Sequence, residues 1–120
     1  MSRLLDEDAL RDLLTAVGWD EGARSRFARD FVSLWDTRVQ RLTNALDSRD
    51  ASEAHVVLLS IRSSSRMIGA QVIEATASLI LSSLDRHDLD GCARHLGRLD
   101  QVGQETCIEL ATRFPLSASV

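Results

Sequence analysis

A chain of 120 residues is long enough for one hydrophobic core and too short for two. Apolar residues make up 44% and charged residues 27%, a globular balance, and a net charge of −4 with interleaved signs argues against a nucleic-acid surface. All fourteen basic residues are Arg, which excludes lysine nucleophile and Schiff-base chemistry, and the apolar runs are too short for a membrane span or a signal segment, so a cytoplasmic protein is expected.

Helical periodicity recurs in five segments, and Tyr is absent with a single Pro near the end. The first predicted helix covers residues 4–17, with Leu10, Leu13, Leu14 and Val17 on one face and Gly18 as its stop. Asp20 is the expected cap of a longer second helix reaching about Ser48. Its apolar stripe is Phe27, Phe31, Leu34, Leu42 and Leu46, with Trp35 and Val39 beside it. The third opens on Asp50 with Glu53 three residues later, a variant capping box, and buries Ala54, Val57, Leu58, Ile61, Ser65 and Ile68. Gly69 ends it.

The fourth helix runs to about Leu84 with Val72, Ile73, Thr76, Leu79, Ile80 and Leu84 inward. Asp88 caps the fifth, which carries Cys92, Leu96, Leu99, Cys107 and Leu110 before Pro115 closes it. Gly97 and Gly103 inside that helix each cost about 1 kcal/mol relative to Ala, and either close approach of a neighbouring backbone or neutral drift would explain them. Cys92 and Cys107 on one helix would stand roughly 22 Å apart, beyond disulfide reach, so two buried free thiols are expected.

Short connections between long amphipathic helices favour antiparallel neighbours. The expected fold is all-α: a single domain over 1–120, with a short helix (1–18) across one end of an up-down antiparallel four-helix bundle (20–114) and a flexible tail (115–120).

Few residues suggest chemistry. His87 and His95 have no partner at metal-ligand spacing, there is no HExxH or Cys-x-x-Cys, and Asp85, Asp88 and Asp90 lack the spacing of a calcium loop. No glycine-rich phosphate loop and no Gly-x-Ser-x-Gly occurs. Ser63, Ser64 and Ser65 lie within a helix, where small hydroxyl residues serve close crossings. No metal or cofactor is expected.

The stretch Leu59-Ser60-Ile61-Arg62-Ser63-Ser64-Ser65-Arg66-Met67-Ile68-Gly69-Ala70 resembles the signature of histidine-containing phosphotransfer (HPt) domains, roughly His-x-Leu-Lys-Gly-Ser-Ser-x-x-Ile-Gly-Ala. Ile61 takes the core leucine, Arg62 the lysine, Ser64 and Ser65 the two serines, and Ile68-Gly69-Ala70 matches outright. Ser63 replaces a glycine. Leu59 stands where the phospho-accepting histidine would be. Asn44-Ala45-Leu46-Asp47 followed by Asp50, and Leu84-Asp85-Arg86-His87-Asp88, resemble the family's approaches to its third-position and last helices, so the likeness extends from about Phe27 to Phe114.

The resemblance implies a place in two-component phosphorelay signalling, with a response-regulator receiver domain, and a histidine kinase behind it, as partners. Leucine has no lone pair to attack an aspartyl phosphate, so relay at this position is excluded and no enzyme is expected. What remains is an exposed leucine with Arg62, Ser63 and Arg66 on one helix face, an arrangement suited to docking. His55, one turn before Leu59, belongs to this partner-binding set and is also the acceptor in a rival reading, an active relay protein with a displaced histidine. A second rival is a helical dimerisation module without a two-component role, so monomer and homodimer both stand.

Overall fold

The computed structural model describes residues 4–6, 8 and 21–114. The expected first helix, its Gly18 stop, the Asp20 cap, Pro115 and the tail therefore lie outside the described residues, apart from the opening residues themselves. There Leu5 is buried, and the Asp6 N–H donates to the Gly69 carbonyl at 2.7 Å.

Four helices account for the rest, with no strand among the described residues: α1 (Glu21–Asp47), α2 (Ala51–Met67), α3 (Gln71–Asp85) and α4 (Leu89–Arg113). Each packs on its neighbours in sequence and α4 closes onto α1, forming a four-helix bundle around one core. No helix can bury its stripe alone, so this closure carries the stability.

The three connections share one device. Arg49 (φ 56°), Gly69 (φ 73°) and His87 (φ 58°) each adopt a left-handed conformation just beyond a helix. In each case the next residue's N–H reaches back five positions: Asp50 to the Ala45 carbonyl at 2.7 Å, Ala70 to Ser65 at 2.8 Å, Asp88 to Ser83 at 2.8 Å. These are Schellman-type stops, which satisfy carbonyls the helix end would otherwise orphan. The residue that completes each stop is also the cap of the next helix. The Asp50 carboxylate accepts from the Glu53 N–H at 3.1 Å and the Asp88 carboxylate from the Gly91 N–H at 2.8 Å. The capping box is thus half formed, because the Glu53 side chain pairs with Arg41 of α1 instead of returning to Asp50.

Only Gly69 fills its left-handed position at no steric cost. Arg49 is exposed and has no hydrogen bond to lose from its side chain among the described residues. Arg49→Gly is therefore expected to raise stability by about 1 kcal/mol, read as a higher urea midpoint at unchanged slope. An unchanged or lower midpoint would count against the left-handed stop.

The α2 stripe of Ala54, Val57, Leu58, Ile61, Ser65 and Ile68 is buried throughout, as the periodicity predicts. Two residues of the other expected stripes are exposed instead. Leu34 is 42% exposed and Trp35, 1% exposed, takes the centre of α1. Leu79 is 55% exposed, whereas Ala77 and Leu81 are buried beside Ile80. Adjacent positions differ by about 100° around a helix, and the bundle's closure chooses which of them points inward.

Trp35 stacks on Phe31 with ring centroids 5.8 Å apart, and its indole N–H donates to Asp100 Oδ1 on α4 at 3.2 Å. The ring fits against Gly103, where a side-chain atom would overlap it. The close neighbour is therefore an indole, not a backbone. Gly97 has open space around it. Cys92 and Cys107 are both buried, free thiols on α4.

Candidate interaction surface

The inward stripe of α2 leaves its other faces free to act. His55, Ser63 and Arg66 are exposed, while Leu59 and Arg62 are half-buried. At spacings of three and four, His55, Leu59, Arg62 and Arg66 line one side of the helix, with Ser63 at its outer edge.

Leu59 corrects the expectation of an exposed leucine. It packs against the core cluster and presents only part of its side chain. The residue is seated by its neighbours, and the apolar spot it offers is small and held in place. Arg62 has no hydrogen bond or ion pair among the described residues. Arg66 lies 3.7 Å from the Glu74 carboxylate of α3, with 77% of its side chain exposed. An ion pair this long and wet contributes a few tenths of a kcal/mol at most. The face therefore keeps one unpaired and one loosely paired guanidinium beside an apolar anchor.

Glu74 escaped the sequence reading because the pairing depends on how α3 returns along α2. A weak signal exists in its position one turn after the Ala70 cap, where acidic residues favour the helix dipole.

At the other end of the face, His55 lines a shallow cleft of about 480 Å³ with Ser52, Val56, Leu84, Asp85 and His87. The α2 start and the α3–α4 turn are brought together here, so His55 and His87 share a depression although 32 positions separate them. Among the described residues no group of three His, Cys, Asp or Glu is placed to hold a metal ion. His95 is half-buried on α4, away from the α2 face.

Of the three serines, Ser65 alone is fully buried, and its Oγ has no hydrogen-bond partner. Ser63 points outward and Ser64 is intermediate. The hydroxyls thus face different surroundings and do not form a nucleophilic cluster.

A second polar arrangement was not legible beforehand. Gln104 of α4 donates to Asp36 Oδ1 of α1 at 2.9 Å and to Asp100 Oδ1 at 3.1 Å, joining the Trp35 indole in one network across α1 and α4. Asp36 and Asp100 also act on the Cys107 thiol. Burial first, and then these two carboxylates, push it up to about 12. The Cys92 thiol is raised too, by burial and by Asp88. Thiols held protonated in this way are poor nucleophiles, which places them in the core and outside any reactive site.

No described helix is long and apolar enough to cross a membrane. The chain matches no family model, no curated protein and no solved structure.

Proposed function

We propose that this chain is a non-catalytic, HPt-like module of cytoplasmic two-component signalling that docks onto a response-regulator receiver domain. In this reading the bundle runs up-down and antiparallel, with the short first helix over one end. The partner contacts His55, Leu59, Arg62, Ser63 and Arg66, and no phosphate is accepted at Leu59. A receiver held this way is kept from a true relay partner or its histidine kinase.

The observation that carries the reading is the α2 face itself. A seated apolar side chain stands beside an arginine without an internal partner, at the position where the HPt resemblance locates the phosphate-bearing surface. Leucine supplies no nucleophile, whereas an apolar spot flanked by Arg is what a docking centre needs. Ser63 is small enough to let a partner's backbone come close.

The test is a titration of receiver domains encoded beside this chain's own gene, with phosphorylated receiver in a parallel labelling assay. Binding without label is expected. Arg62→Glu and Leu59→Asp should each weaken binding on the order of tenfold or more, since each places a charge where the partner needs the opposite character. Because Leu59 is partly packed, Arg62→Glu is the cleaner variant. Uptake of label from the receiver overturns the proposal.

The exposed His55 in its cleft supports the alternative of an active relay protein, and His55→Gln would then abolish labelling. A tight homodimer that buries the Leu59 face in sedimentation would favour the dimerisation module instead.

A further inference from the structure

The first turns of α1 and the end of α4 form a groove of about 480 Å³. Ala28 and Val32 of α1 meet Ala111 of α4 and the adjoining Phe114 to make its apolar floor. Ala28 and Phe114 are buried and Val32 packs against the core, so the bundle itself fixes this floor. No described lining residue belongs to α2, which keeps the groove separate from the Leu59 face.

Three charged side chains stand on the rim. Arg26 and Arg29 follow each other at i and i+3, which places them side by side on α1. Arg26 is exposed and Arg29 half-buried, and neither makes a hydrogen bond or ion pair with any described residue. Arginine stems extend an apolar wall while their guanidiniums stay at the water. Asp30, the third, is exposed and forms no ion pair with either arginine. The Ser33 hydroxyl, also on the rim, is already committed to the Asp30 carbonyl at 3.1 Å. The rim thus carries a net positive charge and two unused guanidinium forks above an apolar floor.

A volume of a few hundred cubic ångströms, apolar walls and a few convergent polar groups are the usual terms of a small-molecule site. The guanidinium fork matches the paired oxygens of a carboxylate. Asp30 offsets one of the two arginines, so a monoanion completes the balance, whereas a dianionic phosphate meets repulsion. The floor favours a hydrocarbon body behind the head group, because covering it removes apolar surface from water. We infer that the α1–α4 groove binds a small carboxylate with an apolar body, of the medium-chain fatty-acid type, with Arg26 and Arg29 holding the carboxylate. Binding here needs no receiver domain and uses no residue of the α2 face.

Octanoate is the probe, titrated calorimetrically into the full chain below its micellar concentration, with acetate and octanamide as comparison ligands. Saturable single-site binding of octanoate is expected, on the order of tenfold or more tighter than acetate, which lacks the body, or octanamide, which lacks the charge. Arg26→Gln and Arg29→Met, the second of which keeps the stem and removes the fork, should each weaken it on the order of tenfold. Ala111→Leu, on the exposed α4 side of the groove, should block octanoate without moving the urea midpoint. Arg98→Gln, an exposed arginine elsewhere on α4, should bind as the unaltered protein. No saturable binding to the full chain overturns the inference, whether residues 9–20 of the same chain or a second copy fills the groove. Equal affinity for octanoate and octanamide, or unchanged affinity in both arginine variants, shows an apolar patch without a head-group site and overturns it too. Should Arg29→Met fail to fold, Arg26→Gln reads the same head-group loss.

Discussion

Gly103→Ala is expected to lower stability by about 2–3 kcal/mol, although alanine is the better helix former. A Cβ at this position would overlap the Cζ2 and Cε2 atoms of Trp35. The indole cannot yield locally, because it is 1% exposed, stacked on Phe31 and tied by its N–H to Asp100. Making room means shifting α4 away from α1 or turning the ring out of its slot, which strains the packing and loses the indole hydrogen bond. Helix propensity works the other way by about 1 kcal/mol and does not offset this.

Gly97→Ala supplies the control on the same helix. Nothing lies within 4 Å of its Cβ position, so the same substitution should there raise stability by about 1 kcal/mol. Urea unfolding of the two variants reads the contrast directly. Equal effects would show that the glycine at 103 is not a slot for Trp35. In the double variant Trp35→Leu/Gly103→Ala the loss should be smaller than the two single losses added, since the clash then has no indole to meet.

The second large effect concerns alkaline pH. With no Lys and no Tyr in the chain, the two cysteines are the only side chains with ordinary pKa values between 9 and 12. Burial, then Asp36 and Asp100, raise the Cys107 thiol from an ordinary 9.0 to about 12, and burial with Asp88 raises Cys92. A thiol whose folded pKa is raised ionises first in the unfolded chain. Its contribution to stability is complete below pH 9 and is lost progressively as pH climbs through 12.

For Cys107 the full shift would correspond to about 4 kcal/mol, and solvent screening of the partly exposed group reduces the expected loss across that window to about 2 kcal/mol. Urea midpoints collected from pH 8 to 11 should fall steeply in the unaltered protein and much less in Cys107→Ala, whatever the change in absolute stability at pH 8. Parallel curves for the two proteins would refute the assignment. For the same reason neither thiol should react with a disulfide reagent at pH 8 until the chain unfolds.

Much of the α2 side of the molecule was legible in the sequence. Asp50 and Asp88 announced their helices by residue type and spacing, Gly69 announced a stop, and the α2 stripe from Ala54 to Ile68 was buried residue for residue. These features are local: a cap, a left-handed glycine and a 3.6-residue period depend on a few neighbouring residues. The candidate face could be read the same way, as a set of spacings on one helix.

Sequence by itself therefore determined the helical class, the stop of α2, the caps of α2 and α4, and the absence of a nucleophile at Leu59. Tertiary structure decided the rest, because it depends on residues far apart in the chain. Closure of α4 onto α1 put Trp35 inward and Leu34 outward, and it paired the indole with Gly103 and Asp100 from more than sixty positions away. The geometry of the turns forced Arg49 and His87 into a conformation their side chains disfavour. Packing seated Leu59 halfway into the surface and gave Arg66 a partner in Glu74. Periodicity identifies a helix face, but only the neighbouring helices determine how much of that face meets water and which charges across it are matched.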